Sequence, residues 1–533
     1  MKNYFSAILI LFTSVFTISC ATQESPKPNI IFFIADDMYR DMFNCLPEGK
    51  GKNLTPNLDR LATEGTIMTN QYVVSPVCTP SRYNCLMGRY ASRSTASQFV
   101  NQTQKEEGQT VIHWNSFITS QDQTLAHYMK ELGYRTGMVG KNHVIAVSDL
   151  HQFLDYQADP KDPEIKKHLQ ANYDKVRQAI QNAGFDYADG IYHNNPNFIG
   201  LAELAVQNLD WTVEAGVEFI EQHHDQPFFL YFATTVPHQP AQPERSWQAD
   251  PHLTAKGYIE RAPKVLPPRN TLPERISAAG LAGNNKELTL WLDDALGALI
   301  HRLESHDILD NTIIFFFNDH GQIAKGSLYQ GGALNPSIVW KRGGFKVGNT
   351  SDARITNVDF APTILEMVGA KDVDATFDGH SFKSVLDGES MPQNKSLFFE
   401  LGYSRAVIKG KYKYLAVRYP DYANNMTPKR RKEVLNAYNE TREFRNMKIV
   451  NRDPAKPFSH FSAIPGGQSA EYESYGKKPA YFDPDQLYDL EEDPNEMVNL
   501  ANDPEYQEVL TGMKKEMQSY LKDLPGTFGE LKR

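Results

Sequence analysis

Four strongly apolar runs in this chain stop short at polar, chemically capable residues. Residues 29–35, Asn-Ile-Ile-Phe-Phe-Ile-Ala, end in Asp36-Asp37. Residues 134–140 lead to Lys141 and His143, and residues 227–233 lead to His238. Residues 312–317 end in Asn318-Asp319-His320-Gly321, and a weaker fifth run, residues 66–74, precedes Cys78. Hydrophobicity along these runs is continuous rather than alternating, which predicts strands buried on both faces, as in a parallel sheet. Helical periodicity lies between them. Thr55-Pro56 starts a helix carrying Leu58, Leu61 and Ala62 and stopped by Gly65. Thr124 starts another, with Leu125, Tyr128, Met129 and Leu132 before Gly133. A third spans residues 286–303, with Leu288, Trp291, Leu292, Ala295, Leu296, Leu299 and Ile300 on one side. Strands alternating with helices predict a wound α/β sheet, whose ligands gather beyond the carboxyl ends of the strands. The polar residues that end the runs fall there.

The texture changes after about residue 385. Residues 398–417 read as a hairpin of an antiparallel sheet, and residues 420–478 as a long, turn-rich surface insertion. A last helix is expected near residues 506–521. Three units follow: a leader at 1–20, a catalytic domain at 21–388 and an α+β subdomain at 389–533.

Composition changes this picture only at its edges. Of 533 residues, 41% are hydrophobic and 23% charged, enough for an ample core. The net charge of −10 argues against a nucleic-acid partner, and it requires an anionic substrate to meet a local positive pocket. The first twenty residues carry a lysine, then an apolar stretch and small residues, the pattern of an export signal too short to span a bilayer. Thr17-Ile18-Ser19-Cys20 resembles a bacterial lipobox. Lipidation of Cys20 would anchor the protein in the cell envelope, with residues 21–28 as a tether. Thr17 stands where leucine is usual, so a periplasmic or secreted form stays open. Besides Cys20 and Cys78, the chain holds Cys45 and Cys85, read as two free thiols rather than a disulfide framework.

The strand ends carry the chemistry. Asp36-Asp37 puts two carboxylates within reach of one cation, and Asp319-His320 adds a second pair followed by a glycine that lets the chain turn. Three carboxylates and one further oxygen suit a hard cation such as calcium, although an imidazole prefers softer ions. Cys78-Thr79-Pro80-Ser81-Arg82 resembles the Cys-x-Pro-x-Arg maturation signature of type I sulfatases, in the alkaline phosphatase-like superfamily. Gly140-Lys141-Asn142-His143 is similar to that family's Gly-Lys-x-His segment, with Asn142 where tryptophan is common. Pro237-His238-Gln239-Pro240 resembles its Pro-His-x-Pro segment, and Lys325 matches a family lysine. The segments occur in the family's order, and the resemblance is strong over residues 28–388.

The resemblance implies a large, mostly parallel sheet flanked by helices, with a smaller C-terminal antiparallel sheet plus helix. It implies that a maturation enzyme oxidises Cys78 to formylglycine, whose hydrate is the nucleophile in sulfate-ester hydrolysis. Calcium would be held by Asp36, Asp37, the matured Cys78, Asp319 and His320, the last standing where asparagine is usual. Arg82 would hold the hydrate, Lys141 and Lys325 the sulfate; His143 would act as base and His238 as leaving-group acid. Export with such a site points to a sulfated polysaccharide substrate such as ulvan, carrageenan, fucan or a glycosaminoglycan. A formylglycine phosphodiesterase or phosphonate monoester hydrolase, and a non-catalytic glycan-binding lipoprotein, are the alternatives. The family often has Pro-His after its Gly-Arg-Tyr segment; here Gly88-Arg89-Tyr90 is followed by Ala91-Ser92-Arg93, so no substrate-binding histidine carries over there.

Overall fold

A computed structural model describes residues 27–348, 350–370, 376–390, 395–456 and 459–531. The leader, the lipobox and Cys20 lie outside these residues. Among the described residues no helix is long and apolar enough to cross a membrane.

The anticipated central strands form: β1 (Asn29–Asp36), β3 (Arg135–Lys141), β5 (Phe228–Pro237) and β6 (Thr312–Asn318). They belong to an eight-stranded sheet that also holds β2 (Thr66–Met68), β4 (Tyr187–Tyr192), β7 (Ser337–Lys341) and β8 (Thr350–Ser351). The strand order is β8-β2-β7-β6-β1-β5-β3-β4. The five strands from β6 to β4 run parallel, whereas β7 is antiparallel to both β6 and β2, so the sheet is mixed. The fifth run is not one strand leading to Cys78. It divides into β2 and a two-residue strand, Gln71–Tyr72, that pairs outside the large sheet. Asn70 lies between them, so the run is too short and too interrupted to continue as a single strand.

Continuous hydrophobicity follows from the layering. Ile30, Phe32 and Ile34 of β1 enter one core, while Ile31, Phe33 and Ala35 enter the other. The first core packs against α2 (Cys78–Met87), α3 (Leu125–Glu131), α4 (Pro163–Asn182) and α7 (Phe360–Met367). The second packs against α1 (Pro56–Glu64), α5 (Leu209–His223) and α6 (Lys286–Ser305). Of these helices, α1, α3 and α6 stand where the periodicity placed them.

The C-terminal part is a four-stranded antiparallel sheet, β9 (Leu397–Leu401), β10 (Ser404–Lys409), β11 (Tyr412–Val417) and β12 (Asp485–Asp489). The segment between β11 and β12 departs from the turn-rich expectation. It contains α8 (Pro428–Phe444) and α9 (Gln468–Tyr475), and it buries Leu435, Phe461 and Ile464. Its many polar residues serve contacts with the rest of the molecule rather than solvent alone. The final helix, α10 (Gln507–Asp523), packs on this sheet through Leu510, Met513 and Met517.

Candidate active site

The carboxyl ends of β1, β3, β5 and β6 converge with the first turn of α2. Each strand end is shaped locally. Gly140 at the β3–β5 contact has φ +86°, and a Cβ there would stand 1.9 Å from the Ala233 carbonyl oxygen. Only glycine fits, and the register irregularity it permits precedes Lys141. Asp37 and His143 also hold positive φ, 63° and 47°, conformations that side chains other than glycine adopt at a cost. The Asn318 side chain fixes the turn after β1, accepting from Met38 N–H at 2.7 Å and donating to the Met38 carbonyl at 2.8 Å.

Asp37, Cys78, Asp319 and His320 bring one ligand atom each within 4.8 Å of one another. His320 Nε2 stands 3.4 Å from Cys78 Sγ, 3.3 Å from Asp37 Oδ1 and 3.6 Å from Asp319 Oδ1. Its Nδ1 faces the Gly321 carbonyl at 3.3 Å. With the proton on Nδ1, facing that carbonyl, the Nε2 lone pair points into the cluster, as a metal-ligating histidine requires. This donor set fits a divalent cation. Asp36 is turned differently: its Oδ2 accepts from Lys141 Nζ at 2.7 Å and its Oδ1 from Arg82 at 3.2 Å, with Cys78 Sγ 3.9 Å away. Arg82 also reaches Asp319 Oδ2 at 3.2 Å. Lys325 Nζ straddles Asp37, 2.6 and 2.7 Å from its two oxygens.

Charges balance in this arrangement. Asp36, Asp37 and Asp319 face Arg82, Lys141 and Lys325, three against three. A divalent ion would leave two positive charges, which a singly charged sulfate ester and an ionised nucleophile would neutralise. Burial works to raise Asp36, but Lys141, His238 and Arg82 overcome it and hold the carboxyl well below the usual range. Asp37 behaves alike: burial is overcome by His238, Lys325 and His320, which bring it to about 2. Burial pushes the Cys78 thiol up to about 12, against the pull of Lys141 and Lys325. As an unmodified thiol Cys78 is therefore not ionised at neutral pH.

His238 meets the cluster from β5, its Nε2 3.3 Å from Asp37 Oδ2 and 3.3 Å from Asn195 Nδ2. Its Nδ1 faces the Gln239 carbonyl at 3.0 Å, so Nε2 is the atom free to exchange a proton with a ligand. Burial outweighs the pull of Asp37 and Asp36 and holds His238 below the ordinary imidazole range. His143 is buried, its N–H bonded to the His193 carbonyl at 2.9 Å; burial first, and Lys141 second, hold it well below the usual imidazole range. Accessibility grades across the site. Asp36, Cys78, Arg82, Lys141, Asp319 and His320 are sealed, whereas Asp37, His238 and Lys325 are partly open and mark the side from which a ligand enters. Asp36, Asp37, Cys78, Arg82, Lys141, His238, Asp319, His320 and Lys325 thus gather in one place, with His143 two residues beyond Lys141. Asn195 and His193 join them without a motif to announce them. After Gly88-Arg89-Tyr90 the chain serves a different end: Arg93 pairs with Asp378 and Asp523 instead of entering the site. Cys45 and Cys85 are free thiols.

The family model described as "Sulfatase" matches residues 28–370, well over half of the chain. The ulvan-active sulfatase of Formosa agariphila is 23% identical over 509 residues, covering 93% of this chain and 80% of that protein. The N-acetylglucosamine-6-O-sulfatase of Bacteroides thetaiotaomicron is 26% identical over 458 residues, covering 73% of this chain and 76% of that protein. A solved structure concerned with the metabolism of glycosaminoglycans by the same organism superposes with a TM-score of 0.59 at 20% identity, covering 93% of this chain and 99% of the other.

Proposed function

Because this chain belongs to the sulfatase family and is a sulfuric ester hydrolase, we propose that it is an exported carbohydrate sulfatase working through Cys78 matured to formylglycine. The observation that carries the reading is the meeting of Cys78 with Asp37, Asp319 and His320 within 4.8 Å, ringed by Arg82, Lys141, Lys325 and His238. Formylglycine supplies an aldehyde whose hydrate offers one hydroxyl to attack sulfur and a second to release the sulfate, which a thiol cannot do. Asp37, Asp319, His320 and the matured side chain of Cys78 would hold a calcium ion, which would supply Lewis-acid stabilisation to the sulfate. Arg82 and Lys141 would orient the matured side chain, and Lys325, at the open side, would bind the sulfate. His238 Nε2 would give its proton to the ester oxygen, and His143 would take one from the matured side chain. The named activities of the two sulfatases above, on ulvan and on N-acetylglucosamine 6-sulfate, support a sulfated sugar as substrate. The leader and lipobox support delivery to the cell envelope.

His320 in the ligand cluster favours one second reading, a formylglycine phosphodiesterase with a softer metal. Sulfate release from defined sulfated oligosaccharides, beside matched phosphate esters, separates the two. Mass spectrometry of the peptide holding Cys78 should show sulfur exchanged for oxygen in the active protein. Full activity with Cys78 unmodified, or turnover confined to phosphate esters, would overturn the reading.

A further inference from the structure

Beside the site lies a second hollow. It is a cleft open to solvent and lined by Phe153, Tyr173, His193, Phe198, Phe444 and Arg445 among others. One short segment forms the wall between the two. The Tyr192 and His193 carbonyls accept from Asn142 and His143 N–H, each at 2.9 Å, and Asn195 bonds His238. His193 and Asn194 of the same segment face the cleft. A ligand that fills the cleft is therefore separated from His143 and His238 by this segment.

The lining has the chemistry of a sugar platform with one charge. Phe198 and Phe444 are 40% and 44% exposed, and Leu154, next to Phe153, is 91% exposed. Exposed aromatic faces gathered at a cleft offer stacking surface for the apolar face of a ring. The Arg445 guanidinium lies over Phe198, 4.8 Å from the ring centroid. Among the described residues it has no carboxylate partner, and no acidic side chain lines the cleft. Its backbone is held, the carbonyl accepting from Tyr156 Oη and Asn197 Nδ2, both at 3.3 Å. In a chain of net charge −10, a guanidinium stacked on Phe198 without a carboxylate partner among the described residues is a local positive point in a negative field. Burial keeps His193 near 4, so at neutral pH it adds hydrogen-bonding capacity without charge.

We propose that this cleft is a second subsite, holding the sugar next to the sulfated one and selecting, through Arg445, for an anionic group on it. A uronate carboxylate or a second sulfate ester has the planar or trigonal oxygen array that a guanidinium binds in bidentate fashion. The proposal rests on the reading of the protein as a carbohydrate sulfatase.

The test uses the matured full-length protein and four substrates. Three are sulfated disaccharides, alike except that the neighbouring sugar is a uronate, its carboxyl-reduced counterpart, or a counterpart with a second sulfate; the fourth is a small aryl sulfate that cannot reach the cleft. In the unaltered protein, kcat/KM should favour an anionic neighbour over the neutral one, and the two anionic arms tell carboxylate from sulfate. Arg445→Ala should cut kcat/KM on the favoured disaccharide by at least about tenfold more than on the aryl sulfate, the worth of a charged hydrogen bond. Arg445→Lys should restore part of that preference. Equal losses on all four substrates would mark Arg445 as structural and overturn the subsite, as would a preference for the neutral neighbour or an anionic preference that survives Arg445→Ala. If instead no sulfate ester is turned over by the unaltered protein, it is the sulfatase reading that fails.

Discussion

His238 presents one ring nitrogen to the site and ties the other to the Gln239 carbonyl, which makes it a directed proton donor. Sugar alkoxides are poor leaving groups and need that proton, whereas an activated phenolate needs it far less. His238→Ala should lower kcat on sugar sulfates by about 10²- to 10⁴-fold, with a much smaller loss on aryl sulfates. Equal losses on both would show a binding or structural role instead. The ligand cluster makes a separate prediction. Asp319 serves both the cluster and Arg82, so Asp319→Asn removes a charge that two cations share. Loss of even an outer partner of a ligand costs about 10- to 100-fold in metal affinity, and loss of this ligand should cost at least as much, read by calorimetric titration of calcium. Chelation should abolish sulfate release in the unaltered protein, and calcium should restore it. Restoration by zinc or manganese alone would point to the phosphodiesterase reading.

At the scale of elements, the strand ends deliver side chains and the segment between β11 and β12 holds one of them in place. Ser474 Oγ in α9 donates to the Lys325 carbonyl at 3.0 Å, and Gly467 packs so closely that a Cβ would stand 2.4 Å from the Gly326 carbonyl oxygen. Glu471, one turn into α9, accepts from Gly467 N–H at 3.1 Å and from the Tyr419 hydroxyl. Burial raises its carboxyl to about 7, outweighing the hydrogen bonds from Tyr419, Tyr481 and Gly467. A raised carboxyl binds its proton more tightly in the folded state than in the unfolded one. Its contribution to stability is therefore complete below about pH 4.5 and is lost as pH rises towards 7, on the order of 3 kcal/mol. Melting temperatures taken across that window should fall more steeply for the unaltered protein than for Glu471→Gln. Parallel curves would show that Glu471 is ionised throughout.

Across the whole molecule, the C-terminal sheet is joined to the site by a buried charge pair. Lys413 of β11 and Glu496 meet at 2.6 Å, both fully buried; Lys413 also bonds the Leu328 carbonyl, and Glu496 accepts from Gln330 N–H at 2.6 Å. Leu328 and Gln330 lie just beyond Lys325, so the pair fixes the end of the loop that carries it. Lys413→Met would leave Glu496 charged and alone, a loss of about 3–5 kcal/mol by denaturant unfolding, accompanied by weaker sulfate binding. Pairing it with Glu496→Gln should recover much of the stability, because no buried charge then stands alone. The sequence determined the central strands by itself: β1, β5 and β6 are buried on both faces, so nearly every position in them must be apolar. It also placed the reactive residues, since the turn after a buried parallel strand is where polar groups can first appear. Strands away from the centre were not legible. β4, Tyr-Ala-Asp-Gly-Ile-Tyr, lies at one edge with polar positions interspersed, and β2 and β8 are too short to show a period. Helices α4 and α5 and the packed segment around α8 and α9 likewise emerged only in the structure. What tertiary structure alone decided was which side chains meet: Asp36 with Lys141, 105 residues apart, and Asn195 with His238, 43 apart. Local pattern records what each residue must be buried against, but contacts between distant segments are set only when the sheet and its cover pack together.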